Sequence, residues 1–287
     1  MDAGFYDERV SGAGDDFEAN DATITEGWHS TDVQLDSAVG EIHEEILRRQ
    51  NLLGASYPFE IRENRVIYSQ SQSLFYEFCL GICMADNITR GDNVFLPRTF
   101  ERTCALLIQL FLGQDTGRIH TGAPRDATIG TTFQAAMTAV SNATAEWVWA
   151  PYPELAGTLS SSGDEGIDFV AWRNTPDGRK GKLFVVGQCA CGDDWDTKFC
   201  DLNLGRIDKW FQPMSYANDP LRAFATPFHL SDTNLMAAQT EAGMVFDRAR
   251  LVLLAEQYVN NAEYNAFLPR LRELFALATT VELARIA

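Results

Sequence analysis

Two apolar runs joined by an Asp-Gly reversal, Phe169-Val170-Ala171-Trp172 and Leu183-Phe184-Val185-Val186-Gly187, constrain this chain more than any other feature. Both are rich in β-branched and aromatic residues, which suit a buried, pleated surface. The turn between them, Thr175-Pro176-Asp177-Gly178-Arg179, carries the dipeptide that favours a tight hairpin. Polar residues stand at the open end: Gly163-Asp164-Glu165-Gly166-Ile167-Asp168 leads into the first strand, and Gln188-Cys189-Ala190-Cys191 leaves the second. With the reversal centred near Gly178, residues whose numbers sum to about 356 face one another, which sets Asp168 opposite Gln188.

Side chains alternate along a strand. Asp168, Val170 and Trp172 therefore share one face of the first strand, and Phe184, Val186, Gln188 and Ala190 share one face of the second, so the carboxylate and the carboxamide meet. Burying both without partners costs on the order of several kcal/mol. A divalent cation, which takes carboxylate and carbonyl oxygens, would satisfy them. The plainer alternative is that Asp168 caps its own turn while Gln188 hydrogen-bonds a neighbouring strand.

The rest of the chain bounds the setting. Its 287 residues, 46% hydrophobic and 22% charged, have the composition of a globular protein of one large or two small domains. No apolar run reaches membrane-spanning length and no leader sequence opens the chain, so no membrane partner is expected. Six cysteines without a secretion signal point to reduced thiols and a cytoplasmic address. The net charge of −17 disfavours nonspecific coating of nucleic acid, which is driven by Lys and Arg. The charge is uneven, however: thirteen acidic residues up to Glu45 face the single Arg9, leaving about −5 for the remainder. A locally basic cleft on that remainder stays open.

In chain order, 1–31 is an acidic arm with isolated aromatics, either a solvated tail or a segment that docks on a partner or a basic cleft. Region 32–93 is a mostly helical module: a helix over 32–53, a hairpin over 57–68 about Glu63-Asn64, and a helix over 71–85. Cys79 and Cys83, one turn apart on that last helix, read as core packing rather than half a zinc site. A helix over 99–112 is expected, with Thr99 as its cap and Glu101 in its first turn, where a carboxylate suits either the helix dipole or a functional role. Gly117 to Thr132 reads as irregular, 132–140 as a helix and Ser160-Ser161-Ser162 as a hinge. After the hairpin come a helix starting at Asp193–Phe199, strands at 222–228 and 248–255, and a helix over 261–286. The whole is an α/β fold with a mixed central sheet.

Competing chemistries find little support. His29, His43, His120 and His229 are scattered, and no phosphate-binding or dinucleotide-binding glycine loop occurs. Cys189-x-Cys191 with Cys200 would make a zinc or redox site, but no histidine lies near to complete four ligands.

Phe100-Glu101 opening a helix, Gly163-Asp164-x-Gly166-Ile167-Asp168 on a strand, and an apolar strand ending in Gln188 together resemble the PD-(D/E)XK nuclease superfamily, nearest to the Mrr-type restriction endonucleases. The resemblance spans roughly 99–199 and implies a restriction-endonuclease-like core over 94–287, a mixed central sheet flanked by helices. It implies that Asp168 is the metal-binding aspartate, that Gln188 is a second ligand through its amide oxygen, and that Glu101 is the helix glutamate completing the site. Cys189 would offer its backbone carbonyl. The family's lysine falls at position 190, where this chain has Ala190; Lys198, at the start of the next helix, is the substitute amine. The implied activity is Mg2+- or Mn2+-dependent hydrolysis of nucleic-acid phosphodiesters, DNA first, in prokaryotic anti-phage or restriction-type defence. Protein partners of a defence complex, or a homo-oligomer, go with it. The acidic arm and displaced lysine keep a second class in view: a catalytically weak or inactive nuclease-like scaffold or sensor subunit.

Overall fold

The computed structural model describes residues 21–63, 65–155 and 165–286. The arm before residue 21, Asn64, the Ser160–Ser162 hinge and the Gly163-Asp164 opening of the motif lie outside them. Helix α1 (Asp21–Leu53) begins before the expected Asp32, and the division between two compact units falls after Arg48. Within the second unit, β1 (Phe59–Arg62) and β2 (Arg65–Tyr68) form a separate hairpin. They are followed by α2 (Phe75–Met84), α3 (Phe95–Phe111), β3 (Thr116–His120) and α4 (Phe133–Thr144). The central hairpin is β4 (Phe169–Arg173) and β5 (Leu183–Cys189). Then come α5 (Leu204–Ile207), β6 (Leu221–Ala225), α6 (Asp232–Ala242), β7 (Met244–Phe246), α7 (Arg248–Gln257) and α8 (Ala262–Ile286).

The chain is mixed α/β. Its five-stranded sheet runs β3-β4-β5-β6-β7, antiparallel across β3, β4 and β5 and parallel from β5 to β7. Alternation along the strands divides the core. Phe169, Ala171, Val185, Ala223, Ala225 and Phe246 pack against α2, α3, α7 and α8. Val170, Trp172, Phe184 and Val186 face the other way, onto α4 and the buried ring of Trp147. On that same face Phe224 and Val245 pack with Ala190 and α6. Both faces are covered, which is why the strands read as nearly continuous apolar runs.

The hairpin pairs Phe169 with Gly187 and Val170 with Val186, the register the turn implies. Two glycines pin it, because each lies under an aromatic ring of β4. A Cβ at Gly187 would stand 1.9 Å from Phe169 Cζ, and one at Gly117 would stand 2.4 Å from Trp172 Cζ2. A ring laid across a cross-strand glycine leaves room for no other residue there.

Other expectations need correction. The apolar stretch from Arg248 is helix, not strand: Asp247 caps it by accepting from Arg250 N at 3.1 Å, and Leu251, Val252 and Ala255 fall on the buried side. The segment from Gly117, read as irregular, forms most of edge strand β3. Asp193–Phe199 does not start an α-helix; only a short 3-10 turn forms at Trp195–Lys198. Helix α3 begins at Phe95, one turn early, so Thr99 is an interior residue whose carbonyl accepts from Thr103 Oγ1 at 2.8 Å. Pro97 is tolerated there because N–H groups of a first helical turn have no intrahelical partner.

Gly187→Ala is expected to destabilise the protein by about 1–3 kcal/mol through overpacking against Phe169. Phe169→Leu in the same chain should recover part of that loss in chemical denaturation, since it removes the ring that the new methyl meets; additive losses would contradict the ring-on-glycine contact.

Candidate functional site

Asp168 stands at the mouth of β4, and its backbone is clamped from both sides. Thr121 N and Gly122 N donate to its carbonyl oxygen at 2.7 and 2.9 Å, and its own N–H donates to Gly187 O at 2.8 Å. The side chain is fixed as well, because Cys189 N donates to Oδ2 at 2.6 Å. A carboxylate held by a backbone N–H in a low-dielectric setting keeps one orientation.

Gln188 extends the pairing of the hairpin one step beyond Gly187 and lies beside Phe224 of β6. Asp168 and Gln188 are 9% and 6% exposed, between the apolar cluster built on Val186 and the one built on Phe224. They line a cleft of about 380 Å³ together with Cys189 and Lys198, and with Glu165 and Arg206. Lys198 reaches the cleft from the 3-10 turn, where its Nζ lies 2.9 Å from Asp194 Oδ1; that hydrogen bond holds the Asp194 carboxyl below its usual value. Ala190, in contrast, is 2% exposed and packed with Phe224, Leu230 and Val245. A lysine at 190 would bury its ammonium in hydrocarbon, which is costly without a partner.

Glu101 is brought near Asp168 but not into this cleft. It lies in the interior of α3, whose first turn holds no acid, so a role at the helix dipole does not account for it. Its Oε2 is 3.0 Å from His120 Nε2, and the two side chains are 16% and 11% exposed. His120 Nδ1 is buried with no hydrogen-bond partner. Gly122 sits where these groups converge. A Cβ there would lie 3.0 Å from Asp168 Oδ1, 3.1 Å from Glu101 Oε2 and 3.3 Å from His120 Nε2. His120 joins this corner although the sequence reading did not single it out; Gly122, two residues after a strand, was the available signal.

Among the described residues no group of three or more His, Cys, Asp or Glu side chains stands ready to hold a metal. Gln188 and the Cys189 carbonyl fall outside that set. Carboxylate, carboxamide and carbonyl oxygens are nevertheless the donors that a hard divalent cation takes. The thiol alternatives fare worse. Cys189 and Cys191 turn toward α3, and burial pushes both thiols well above the usual range. Cys79 is buried and raised for the same reason, while Cys83 accepts from Arg248 Nη2 at 3.1 Å and donates to Pro227 O at 3.7 Å.

The chain matches no family model, no curated protein and no solved structure. No helix among the described residues is long and apolar enough to cross a membrane.

Because the thiolate is the reactive form, Cys189 and Cys191 should resist iodoacetamide in the folded protein at mildly alkaline pH, while exposed Cys200 is labelled. Their labelling should rise with pH and on unfolding, as read by peptide mass spectrometry. Labelling of Cys189 or Cys191 as fast as Cys200 would reopen the thiol-based alternatives.

Proposed function

We propose that this chain is a divalent-metal-dependent nuclease with a restriction-endonuclease-like core, hydrolysing nucleic-acid phosphodiesters, DNA first. By the same resemblance it acts as a cytoplasmic effector of prokaryotic defence, with protein partners or a second copy. The observation that carries the reading is the buried Asp168–Gln188 pair at the open end of the hairpin, in one cleft with Lys198.

Asp168, Gln188 and the Cys189 carbonyl would hold Mg2+ or Mn2+, with Glu101 approaching from the far side of Gly122. When bound, the ion supplies charge to the scissile phosphate and acidity to an attacking water. The chain's own groups do the rest. The Cys189 N–H fixes the Asp168 carboxylate, and His120 fixes that of Glu101, so neither must reorganise during reaction. Lys198 sits in a solvent-screened pair with Asp194 and can exchange that partner for phosphate oxygen, offsetting charge on the five-coordinate transition state.

A second reading keeps the fold without the reaction, as a scaffold or sensor subunit. It draws on the buried alanine at position 190 and on the absence, among the described residues, of a ready-made acidic metal cluster.

Plasmid and oligonucleotide digests with Mg2+ or Mn2+ separate the two. Asp168→Ala should lose cleavage on the order of a hundredfold or more. Gln188→Glu should lower the metal concentration needed, since a carboxylate binds such ions better than an amide. Gly122→Ala should depress cleavage while leaving the unfolding temperature near that of the parent chain. Cleavage that survives Asp168→Ala would sink the assignment, and a parent chain with neither cleavage nor any heat of magnesium binding would leave the scaffold.

A further inference from the structure

A second cleft, of about 460 Å³, lies against the same corner, and the chemistry proposed above does not use it. Its size is that of pockets which enclose a single small organic group. Arg102 of α3 and Arg118 and His120 of β3 line it, and Ala105, Ile129 and Phe267 supply apolar surface. The cleft adjoins the candidate metal corner directly. Arg102 follows Glu101 in α3, and His120, which lines the cleft, hydrogen-bonds Glu101.

The charges here are available. Arg102 donates from Nη1 to Arg98 O at 3.0 Å and from Nη2 to Pro124 O at 2.9 Å, and neutral carbonyls leave its charge uncompensated. Arg118 donates to the Gln109 side-chain oxygen, and from Nη2 to Glu263 Oε2 at 2.8 Å. Glu263 is 59% exposed in its side chain, so that ion pair is screened and readily traded for another anion. The one acid in the lining is Asp126. On a chain of net charge −17, two guanidiniums set against Asp126 and Glu263 leave this cleft near neutral, with an aromatic ring beside them.

Guanidinium and aromatic surface in one groove is the combination that binds unpaired nucleic acid, where phosphates pair with arginine and bases lie on rings. We propose that this cleft holds one unpaired nucleotide next to the scissile phosphate, with its phosphate on Arg102 and Arg118 and its base against Phe267. The preferred substrate is therefore single-stranded, or a duplex opened at the cut. A base within a closed duplex is stacked on both faces and cannot enter a cleft walled by α3, β3 and α8. This inference rests on the nuclease reading for its location but is tested by binding alone.

The experiment is fluorescence anisotropy on the full chain in EDTA, with short labelled single-stranded DNA, single-stranded RNA and duplex DNA across a salt series. The variant Arg102→Gln/Arg118→Gln should bind single strands roughly tenfold or more weakly. Its slope of log affinity on log salt should fall by about 0.7, the value for one phosphate contacted on a single strand. Phe267→Leu, which keeps apolar volume, should weaken binding about fivefold without changing the slope. Arg179→Gln, in the β4–β5 turn, should change nothing. Arg102→Gln alone, which leaves the Arg118–Glu263 pair intact, gives the same direction of change if the double variant folds poorly. Unchanged affinity and slope in the arginine variants, or tighter binding of closed duplex through the same arginines, would overturn the inference. Cleavage by a parent chain whose arginine variants bind normally would sink this cleft and spare the nuclease reading. Arginine-dependent binding without cleavage would do the reverse.

Discussion

The structure depends on how β4 is held at Asp168. Three backbone hydrogen bonds, two from the residues that follow β3 and one to β5, fix the residue's main chain, and a fourth from Cys189 N fixes its carboxylate. A buried acid left loose would be expensive and would either leave the protein interior or take up a proton. Here a strand N–H, that of Cys189, supplies a donor to the side chain where the β4–β5 ladder runs out, and so offsets part of the cost of burying it. The polar corner is thus a consequence of sheet register, and anything that slips the register dissolves the corner.

Register is secured by shape more than by hydrogen bonding. Backbone bonds repeat every two residues and would accept a shifted pairing. The rings of Phe169 and Trp172 would not, since each needs a glycine opposite, and Gly187 and Gly117 each occur at one place. These two contacts lie on opposite sides of β4, so the strand carrying Asp168 is located against both neighbours. The same principle recurs at Gly122, where a missing side chain lets Asp168, Glu101 and His120 approach from three segments.

The parts of this arrangement legible in sequence were those written in local pattern. The Asp-Gly turn and apolar alternation gave the β4–β5 register, and the helix expected over 132–140 is α4, which Thr132 caps by accepting from Ala135 N. What stayed hidden depends on contacts between distant segments. Strand β3 is polar because it is an edge, with Arg118 and His120 serving clefts rather than the core, so its pattern imitates a loop. Helix α7 is apolar along most of its length because it lies over the sheet, and only the Asp247 cap distinguishes it from a buried strand. His120 could not be singled out, because its partner Glu101 is nineteen positions away on another element and its significance lies in that hydrogen bond. Glu101 itself was placed one turn too near the helix start, since Pro97 looked like a boundary although it sits inside the first turn.

The absence of a lysine at position 190 follows from the same alternation that sets Gln188 facing the cleft. Ala190 lies two residues on, where the sheet face has closed over into the cluster with Phe224 and α6, and a charged side chain has no exit. An amine serving this corner must come from outside the sheet, and a side chain on a loop serves a preorganised site only where a rigid scaffold positions it. The turn that carries Lys198 is anchored at both ends. Trp195 stacks on Phe228 with ring centres 5.9 Å apart, and Phe199 packs edge-on against Phe224 at 5.1 Å. Phe224 is the β6 neighbour of Gln188, so the turn is moored to the strand beside the carboxamide it faces. Two aromatic contacts thereby give a loop lysine a fixed origin, and only its flexible stem remains to be ordered by an anion arriving in the cleft.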